Sequence, residues 1–341
     1  MPDVSVLMPV YNAMPYLRAA CAGILDQTGV DFEFIALNDA STDGSGEYLD
    51  GLNDARMRVV HLPKAGYVVN LNIGLGLCRA PLVARMDADD VSLPGRLARQ
   101  VAFLHDNPDA VAVGCQAETI DRDDRVTGVL SYDTSDLMIR HRLLSNAHLP
   151  HPGVMYRRQA VLDAGGYNAD FMPCEDYDLW CRLAERGRLA NLDETFLRYR
   201  THSANISVTR ADLIRKWRPL ISRRYQLAAG YASSEAEADE FFTALNGTPA
   251  ALTARGAAAC RAVWQRFLSV AVAPPEEIDA LRVWLRRRAL ESAGQCGPAR
   301  QAFYRWVRLA RSVDPAGMRW DRLARRASKQ LLGTLTGATR T

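Results

Sequence analysis

The chain has no uncharged apolar run of about 18 residues, the length that a transmembrane helix needs. Its seven cysteines are widely scattered, and none forms a CxxC pair of the kind that binds zinc or exchanges disulfides. The N-terminus shows neither the basic region nor the small-residue cleavage site of a secretory signal. These absences predict a cytoplasmic protein with reduced thiols.

Internal repeats and low-complexity tracts are also missing. With 341 residues and 48% hydrophobic composition, the chain is long enough to bury a substantial core, which excludes a disordered or fibrous protein. The formal net charge is only +3, but residues 251–341 carry 17 Lys and Arg against 6 Asp and Glu. A mildly acidic body therefore carries a basic C-terminal region.

The first two hundred residues or so alternate short β-branched runs with stretches of helical period. This alternation is typical of an α/β fold with a largely parallel, Rossmann-like sheet between helices. From about residue 211 the pattern is helical to the end, so we divide the chain into an α/β domain, 1–212, and a basic α-helical region, 213–341. The predicted strands are 4–8, 32–37, 58–62, 82–86, 110–115 and 153–157, and the predicted helices between them are 15–27, 44–52, 68–79, 93–105 and 176–186.

The acidic segment MDADD, residues 86–90, directly follows an apolar run that reads as a buried strand. Three carboxylates at such a strand end repel one another and are costly to desolvate, so a cation should compensate them. A hard divalent cation with oxygen ligands fits that requirement and keeps coordination positions open for substrate phosphates. The alternative is an acidic turn that only stabilises the start of the next helix.

Two further polar clusters follow strands of the same predicted sheet. The first strand leads into Pro9, Tyr11 and Asn12, and the second leads into the loop NDASTDG, which contains Asp39. Ligands of open α/β folds collect at this edge of the sheet. Asp39 could accept a hydrogen bond from a nucleobase N–H, and Tyr11 offers a face for stacking. The alternative is a structural loop in which Asp43 caps the following helix.

The segment CEDYDLW, residues 174–180, places paired acids beside aromatic residues at the start of a predicted helix. A carboxylate held partly out of water takes up a proton more readily than an exposed one. Asp176 could therefore act as a general base that removes the proton from an attacking hydroxyl. The alternative is that Glu175 and Asp176 only stabilise the helix N-terminus.

Eight segments in one order resemble family 2 glycosyltransferases, a large inverting family with the GT-A fold. The segments, which cover roughly residues 3–207, are PVYN, NDASTDGS, LNIG, ARMDADD, HPGVMYRR, AGGY, EDYDLWCRL and YRTHSANIS. The resemblance implies an enzyme that moves a sugar from a nucleotide-diphosphate donor, UDP- or dTDP-linked, to a hydroxyl of a glycan or lipid-linked acceptor. It also implies a role in bacterial cell-surface polysaccharide synthesis.

The resemblance assigns the donor nucleotide to named residues. Pro9, Tyr11 and Asp39, with Asn12 beside them, would lie around the base and ribose. Two features depart from the common family pattern: NDASTD stands where relatives often have DDGSTD, and Lys64 begins the segment where an Asn-x-Gly is common. These departures leave the base and the sugar of the donor open.

The resemblance also assigns the metal and the chemistry. Asp87 and Asp89 would form the DxD pair, with Asp89 on a Mn²⁺ or Mg²⁺ ion and Asp87 closer to the ribose or to metal-bound water. His202, in YRTH, would approach the metal or the diphosphate. Asp176 would be the catalytic base and Glu175 its acidic neighbour.

Arginines recur through the C-terminal region at spacings that often suit one helical face, with aromatic and apolar residues between them. They and those neighbours are Trp284, Arg286, Arg287, Arg288, Phe303, Arg305, Trp306, Arg308, Arg311, Arg319, Trp320, Arg322, Leu323, Arg325, Arg326, Lys329 and Leu331. A basic amphipathic helix with tryptophans binds anionic membrane surfaces, which would place the enzyme on the inner face of the plasma membrane. The alternative is an Arg-rich helical subdomain with a solvated face. Nucleic-acid binding is not expected, because no recognised module accompanies the charge.

Two other functions compete with the glycosyltransferase interpretation. A nucleotidyltransferase shares the sheet and the acidic metal site, but it usually carries a Gly-rich, Arg-containing phosphate loop where this chain has PVYNAMPY. A non-catalytic sugar-nucleotide-binding or scaffold protein would not need the complete EDYDLW segment.

Overall fold

A computed structural model describes residues 1–203, 205–297 and 299–314. The chain forms two compact units, of which the first spans Met1–Ile221 and the second begins at Ser222. The last part of the predicted basic amphipathic region, from Arg319 to Leu331, lies outside the described residues.

The described part of the first unit contains one mixed sheet of nine strands. They are β1 (Val4–Val10), β2 (Phe32–Asp39), β3 (Met57–Leu62), β4 (Leu82–Arg85), β5 (Val91–Ser92), β6 (Ala110–Ile120), β7 (Val126–Leu130), β8 (Met155–Arg157) and β9 (Arg188–Arg200). Their order is β3-β2-β1-β4-β8-β6-β9-β5, and β7 pairs with β6 outside this path.

The parallel part of the sheet lies where the sequence predicts it. β1 pairs in parallel with β2 and β4, and β2 pairs in parallel with β3. Every residue of β1 and β2 is buried, as expected for strands that helices cover on both faces. Beyond β4 the sheet becomes mixed, because β8 runs antiparallel to β4 and to β6 whereas β9 runs parallel to β6.

Helices flank this sheet, and the α/β class is confirmed. They are α1 (Leu17–Leu25), α2 (Ser45–Asp50), α3 (Tyr67–Leu77), α4 (Arg96–Asp106), α5 (Asp136–Arg142), α6 (Arg158–Asp163), α7 (Glu175–Ala184), α8 (Ile206–Thr209) and α9 (Ala211–Ala228). α3 packs directly on the sheet at Gly74, where a Cβ would lie 2.2 Å from Leu7 Cδ1 and 2.7 Å from Leu37 Cδ1. Glycine therefore permits a close contact between α3 and the strands β1 and β2.

Several strands differ from the predicted pattern. The strand predicted at 153–157 begins at Met155, because His151–Gly153 forms a 3₁₀ turn. The strand predicted at 110–115 continues to Ile120, and β7 follows it through a hairpin turn. β5, β7 and β9 were not predicted at all.

The second unit is helical in its described residues beyond α9. Its helices are α10 (Glu235–Asn246), α11 (Ala254–Val270), α12 (Pro275–Gly294) and α13 (Arg300–Val313). Trp306 is buried on the apolar face of α13, and its Nε1 donates a hydrogen bond to the carbonyl oxygen of Pro249 at 3.0 Å. Trp306 thus belongs to the interior of this unit and not to a membrane-facing surface. Among the described helices, none has the length and apolar character of a membrane span.

Candidate active site

An open cavity of about 1650 Å³ lies at the carboxyl ends of β1, β2 and β4. Its wall contains every residue to which the sequence assigned a site role, namely Pro9, Tyr11, Asn12, Asp39, Asp87, Asp89, Glu175, Asp176 and His202. Asp89 and Asp176 come from distant segments and nevertheless face the same space. The structure therefore brings the proposed metal-binding and base residues to one cavity.

Hydrogen bonds join the loops that follow β1 and β2. The backbone N–H of Asn12 donates to Ser41 Oγ at 3.0 Å, and the Asn12 side-chain oxygen accepts from the N–H of Thr42 at 2.8 Å. The N–H of Met14 donates to Asp43 Oδ2 at 2.8 Å. Asn12 adopts a left-handed conformation with φ 48°, which asparagine tolerates better than most residues. These contacts fix both loops at one end of the cavity.

Asp39 ends β2 and is buried at this end of the cavity. Its carboxylate accepts from the N–H of Ala65 at 2.7 Å and of Gly66 at 3.2 Å, and it pairs with Lys64 Nζ at 2.9 Å. Burial opposes the charge, but these hydrogen bonds outweigh it and hold the pKa of Asp39 below its usual value. Lys64 Nζ also lies 2.7 Å from the ring centroid of Tyr11. The aromatic face predicted to stack on a base is therefore covered by an ammonium group.

Asp87, Asp89 and Asp90 form an acidic cluster directly after β4. Each can offer a carboxylate oxygen that lies within 4.8 Å of the others. Burial, followed by the charge of the neighbouring carboxylates, raises the pKa of Asp89 and of Asp90. Oxygen ligands gathered this closely fit a hard divalent cation of the Mg²⁺ or Mn²⁺ type, which would relieve their mutual repulsion.

Arg85, the last residue of β4, lies beneath this cluster with its side chain fully buried. Its Nη2 donates a hydrogen bond to Asp87 Oδ1, and its guanidinium carbon lies 5.4 Å from the ring centroid of Tyr67. Within the described residues, Arg85 Nε and Nη1 have no hydrogen-bond partner. Arg85 was not among the predicted site residues, although its position in ARMDADD, two residues before the first acid, was a signal.

Arg200, at the end of β9, and His202, two residues later, contact the acidic cluster. His202 Nε2 lies 3.1 Å from Asp89 Oδ2. Arg200, the buried last residue of β9, donates through Nε to the carbonyl oxygen of Asp89 at 2.7 Å and through its backbone N–H to Asp90 Oδ1 at 2.7 Å. Arg200 was not among the predicted site residues, although it stands two residues before the predicted His202 in YRTH.

Glu175 and Asp176 occupy the first turn of α7. Burial, then the charge of Asp176, raises the pKa of Glu175 to about 8. Burial also raises the pKa of Asp176 to about 6, although the N–H of Tyr177 donates to its Oδ1 at 2.7 Å and opposes the shift. Glu175 Oε2 has no hydrogen-bond partner among the described residues. A carboxylate in this state can accept a proton near neutral pH, as a general base must.

His151 is a further buried titratable residue that lines the cavity. Its Nε2 lies 3.1 Å from the hydroxyl oxygen of Tyr167, and its ring meets the ring of Trp180 edge to face at 5.8 Å between centroids. Burial and then the nearby Arg85 charge hold the pKa of His151 well below its usual value. His151 is therefore neutral at pH 7. HPG in the segment HPGVMYRR was its only signal in the sequence.

Known proteins share both this sequence pattern and this architecture. The sequence pattern of "Glycosyl transferase family 2" matches residues 5–165. The O-antigen biosynthesis glycosyltransferase WbnJ of Escherichia coli is 31% identical over 208 residues, which cover 59% of this chain and 80% of that protein. A glycosyltransferase of Haemophilus influenzae is 29% identical over 222 residues, which cover 60% of this chain and 68% of that protein.

The crystal structure of S. aureus TarS 1-349 in complex with UDP-GlcNAc has the same fold. It superimposes with a TM-score of 0.57 at 17% sequence identity, covering 92% of this chain and 91% of that chain. The fold, the acidic cluster and the sequence relatives define a glycosyltransferase of the GT-A type. The chain belongs to glycosyltransferase family 2, and the resemblance stated from its motifs is confirmed.

Proposed function

We propose that the enzyme is an inverting, metal-dependent glycosyltransferase that uses a UDP- or dTDP-linked sugar. The observation that carries this proposal is the shared cavity, whose wall contains Asp39, two members of the acidic cluster, and the pair Glu175 and Asp176. A donor could then place its base near Asp39, its diphosphate near the acidic cluster and its sugar near Asp176. One in-line displacement across this cavity would invert the anomeric centre.

The choice of a pyrimidine nucleotide rests on the Asp39 end of the cavity and on a structural neighbour. An ionised carboxylate accepts hydrogen bonds, so Asp39 suits a base that presents a ring N–H, as uracil, thymine and guanine do but adenine and cytosine do not. Tyr11 offers the adjoining aromatic face. TarS binds UDP-GlcNAc in its crystal structure, and the same class of donor is proposed for this chain.

In the proposed mechanism, each residue acts on one part of the reaction. A divalent ion held by Asp89, with Asp87 and His202 beside it, would neutralise charge on the departing diphosphate. Asp176 accepts the proton of the acceptor hydroxyl as that oxygen attacks the anomeric carbon. Glu175 retains its own proton to a higher pH, so it lies beside the base without adding a second negative charge.

Isothermal titration of the full chain with UDP, dTDP and GDP tests the donor assignment. Each nucleotide is titrated once with Mn²⁺ and once with excess EDTA. UDP or dTDP should bind more tightly with Mn²⁺ than with EDTA, and GDP should bind most weakly. Equal affinity for all three nucleotides, or affinity that ignores the metal, would contradict the proposal. A UDP-release assay with UDP-sugars then separates an enzyme from a sugar-nucleotide-binding scaffold protein.

We further propose an acceptor in bacterial cell-surface polysaccharide synthesis, either a glycan or a lipid-linked precursor. The relative WbnJ is named for O-antigen biosynthesis, which supports this assignment. Such an acceptor would meet the enzyme at the inner face of the plasma membrane. The enzyme would then need a surface that suits anionic lipid headgroups.

The exposed face of α13 supplies a candidate for that surface. Arg300, Tyr304, Arg308 and Arg311 recur at helical spacing and are exposed. None of these three arginines forms an ion pair within residues 1–203, 205–297 and 299–314. Unpaired arginines beside a tyrosine suit the interface of an anionic bilayer, where each basic residue contributes about 1 kcal/mol.

Co-sedimentation of the full chain with vesicles tests the membrane assignment. Vesicles that contain phosphatidylglycerol should carry the protein into the pellet, and vesicles of phosphatidylcholine alone should not. Added salt should release the protein, because screening weakens the attraction between surface charges. Equal partitioning onto both kinds of vesicle would contradict an electrostatic membrane surface.

A further inference from the structure

Arg200 forms hydrogen bonds with several segments around the acidic cluster. Its side chain is buried, and its guanidinium donates in three directions. Nε reaches the carbonyl oxygen of Asp89 at 2.7 Å, Nη1 the carbonyl oxygen of Asp121 at 2.8 Å, and Nη2 the carboxylate of Asp124 at 2.6 Å. The planar guanidinium presents its donors in a wide, fixed fork that reaches three separate acceptors, whereas a lysine ammonium is a compact point charge.

These bonds connect two different parts of the cavity wall. Asp89 belongs to the loop after β4, whereas Asp121 and Asp124 belong to the hairpin turn between β6 and β7. The turn itself lines the cavity through residues 121–123. Arg200 therefore fixes the position of the acidic loop relative to the hairpin turn.

A stack of three groups extends from the same guanidinium. The guanidinium carbon of Arg200 lies 4.4 Å from the ring centroid of Tyr16. The Tyr16 ring stacks on the His202 ring, with 5.4 Å between centroids and 19° between planes. His202 in turn contacts the carboxylate of Asp89 at 3.1 Å, so the contacts close a ring through Arg200, Tyr16, His202 and Asp89.

We infer that Arg200 is a positioning residue for the divalent cation. It holds the backbone of Asp89 directly, and through Tyr16 it orients the His202 ring toward the Asp89 carboxylate. Both candidate ligands are thus set in place before a cation arrives. This inference rests on the proposed function, since it presumes that the acidic cluster binds a metal.

The test measures Mn²⁺ binding to the full chain without nucleotide, by the electron paramagnetic resonance signal of free Mn²⁺. Arg200→Lys keeps the charge but loses the fork, and its dissociation constant for Mn²⁺ should rise about tenfold, as for other residues that orient metal ligands. Arg198→Lys is the matched control, because Arg198 lies on the same strand and pairs with Glu118 outside the cavity. Its Mn²⁺ affinity should equal that of the wild type.

A second variant keeps the inference testable if Arg200→Lys does not fold. Tyr16→Leu removes the middle of the stack but leaves the hydrogen bonds of Arg200 in place, and it should weaken Mn²⁺ binding about threefold, less than the range for direct orienting partners. Wild-type Mn²⁺ affinity in a folded Arg200→Lys protein, or in Tyr16→Leu when the first variant is unfolded, would overturn the inference. A wild-type protein that binds no Mn²⁺ would instead contradict the proposed metal site.

Discussion

Two groups of acidic residues face the same cavity, and their surroundings differ. The acidic cluster of Asp87, Asp89 and Asp90 is surrounded by two arginines and a histidine. Glu175 and Asp176 have few polar partners: Asp176 accepts from a neighbouring N–H, and Glu175 Oε2 accepts from no described residue. The same carboxyl chemistry therefore meets two different environments, which suit the two proposed roles, cation binding for the first group and proton transfer for the second.

The largest effect should come from removing the proton acceptor. Asp176→Asn should lower kcat about 10³-fold, because the attacking hydroxyl loses its general base. The affinity for UDP and Mn²⁺ should stay within about twofold of the wild type, because the acidic cluster is untouched. Initial rates of UDP release and calorimetry measure the two quantities. Glu185→Gln, an exposed charge loss at the end of the same helix, should change neither. A fall in nucleotide affinity equal to the fall in kcat would erase the distinction between the two groups.

The next largest effect should come from the acidic cluster. Asp89→Asn should weaken Mn²⁺ binding about 100-fold, because a neutral amide replaces a charged ligand. The Mn²⁺ dependence of UDP release should shift to higher concentration in parallel. Asp106→Asn, an exposed acid outside the cavity, serves as the control. Turnover that survives excess chelator would show that the cluster has no metal role.

The pH profile should separate the two members of the pair. Transfer needs Asp176 without its proton, so kcat should fall about tenfold for each pH unit below about 6, the pKa of Asp176, and level off above it. Glu175→Gln should leave this limb in place, because the pKa of Glu175 is the higher of the two and its carboxyl is still neutral when Asp176 titrates. Nucleotide affinity measured over the same pH range corrects for changes at the metal. If the pH at which kcat falls moves by more than about one pH unit in Glu175→Gln, the order of the two pKa values is reversed.

The smallest effect should come from replacing Lys64, the lysine that pairs with a third acid, Asp39. Lys64 lies on the Tyr11 ring that a base would cover, so donor binding has to displace it. Lys64→Met should tighten UDP binding about threefold, the size expected for losing a half-exposed cation–π contact and ion pair. Lys216→Met provides the control, since Lys216 lies 4.1 Å from the Trp217 ring centroid and does not line the cavity. Weaker UDP binding in Lys64→Met would mean that the lysine contacts the nucleotide.

The strands that were predicted correctly lie where the hydrophobic pattern and a motif agree. The buried runs of β1 and β2 and the polar residues that follow them lie at the same sheet edge, as predicted, because parallel strands bring their carboxyl ends together. β9 escaped prediction because Asp193 and Glu194 interrupt it and its register against β6 shifts at several points. A strand with bulges loses the alternation by which a sequence reveals it.

The arginines beneath the site were not predicted, because the sequence says little about which arginines are buried. Arg85 and Arg200 are buried, whereas an arginine in a sequence normally indicates an exposed side chain. The partners of Arg200 lie about 80 to 110 residues away along the chain, at Asp121, Asp124 and Asp89. Only the folded sheet brings these groups together. The sequence therefore indicated the acidic residues of the site but not the buried arginines that compensate their charge.

The bonds between Asn12, Ser41 and Thr42 hold the two loops at the Asp39 end in shape before any nucleotide arrives. A ligand that meets ordered loops does not wait for a chain segment to fold, and its binding costs little conformational entropy. Donor capture should therefore proceed at the pace of diffusion and orientation. Differences in affinity among competing nucleotides would then be expressed in their residence times.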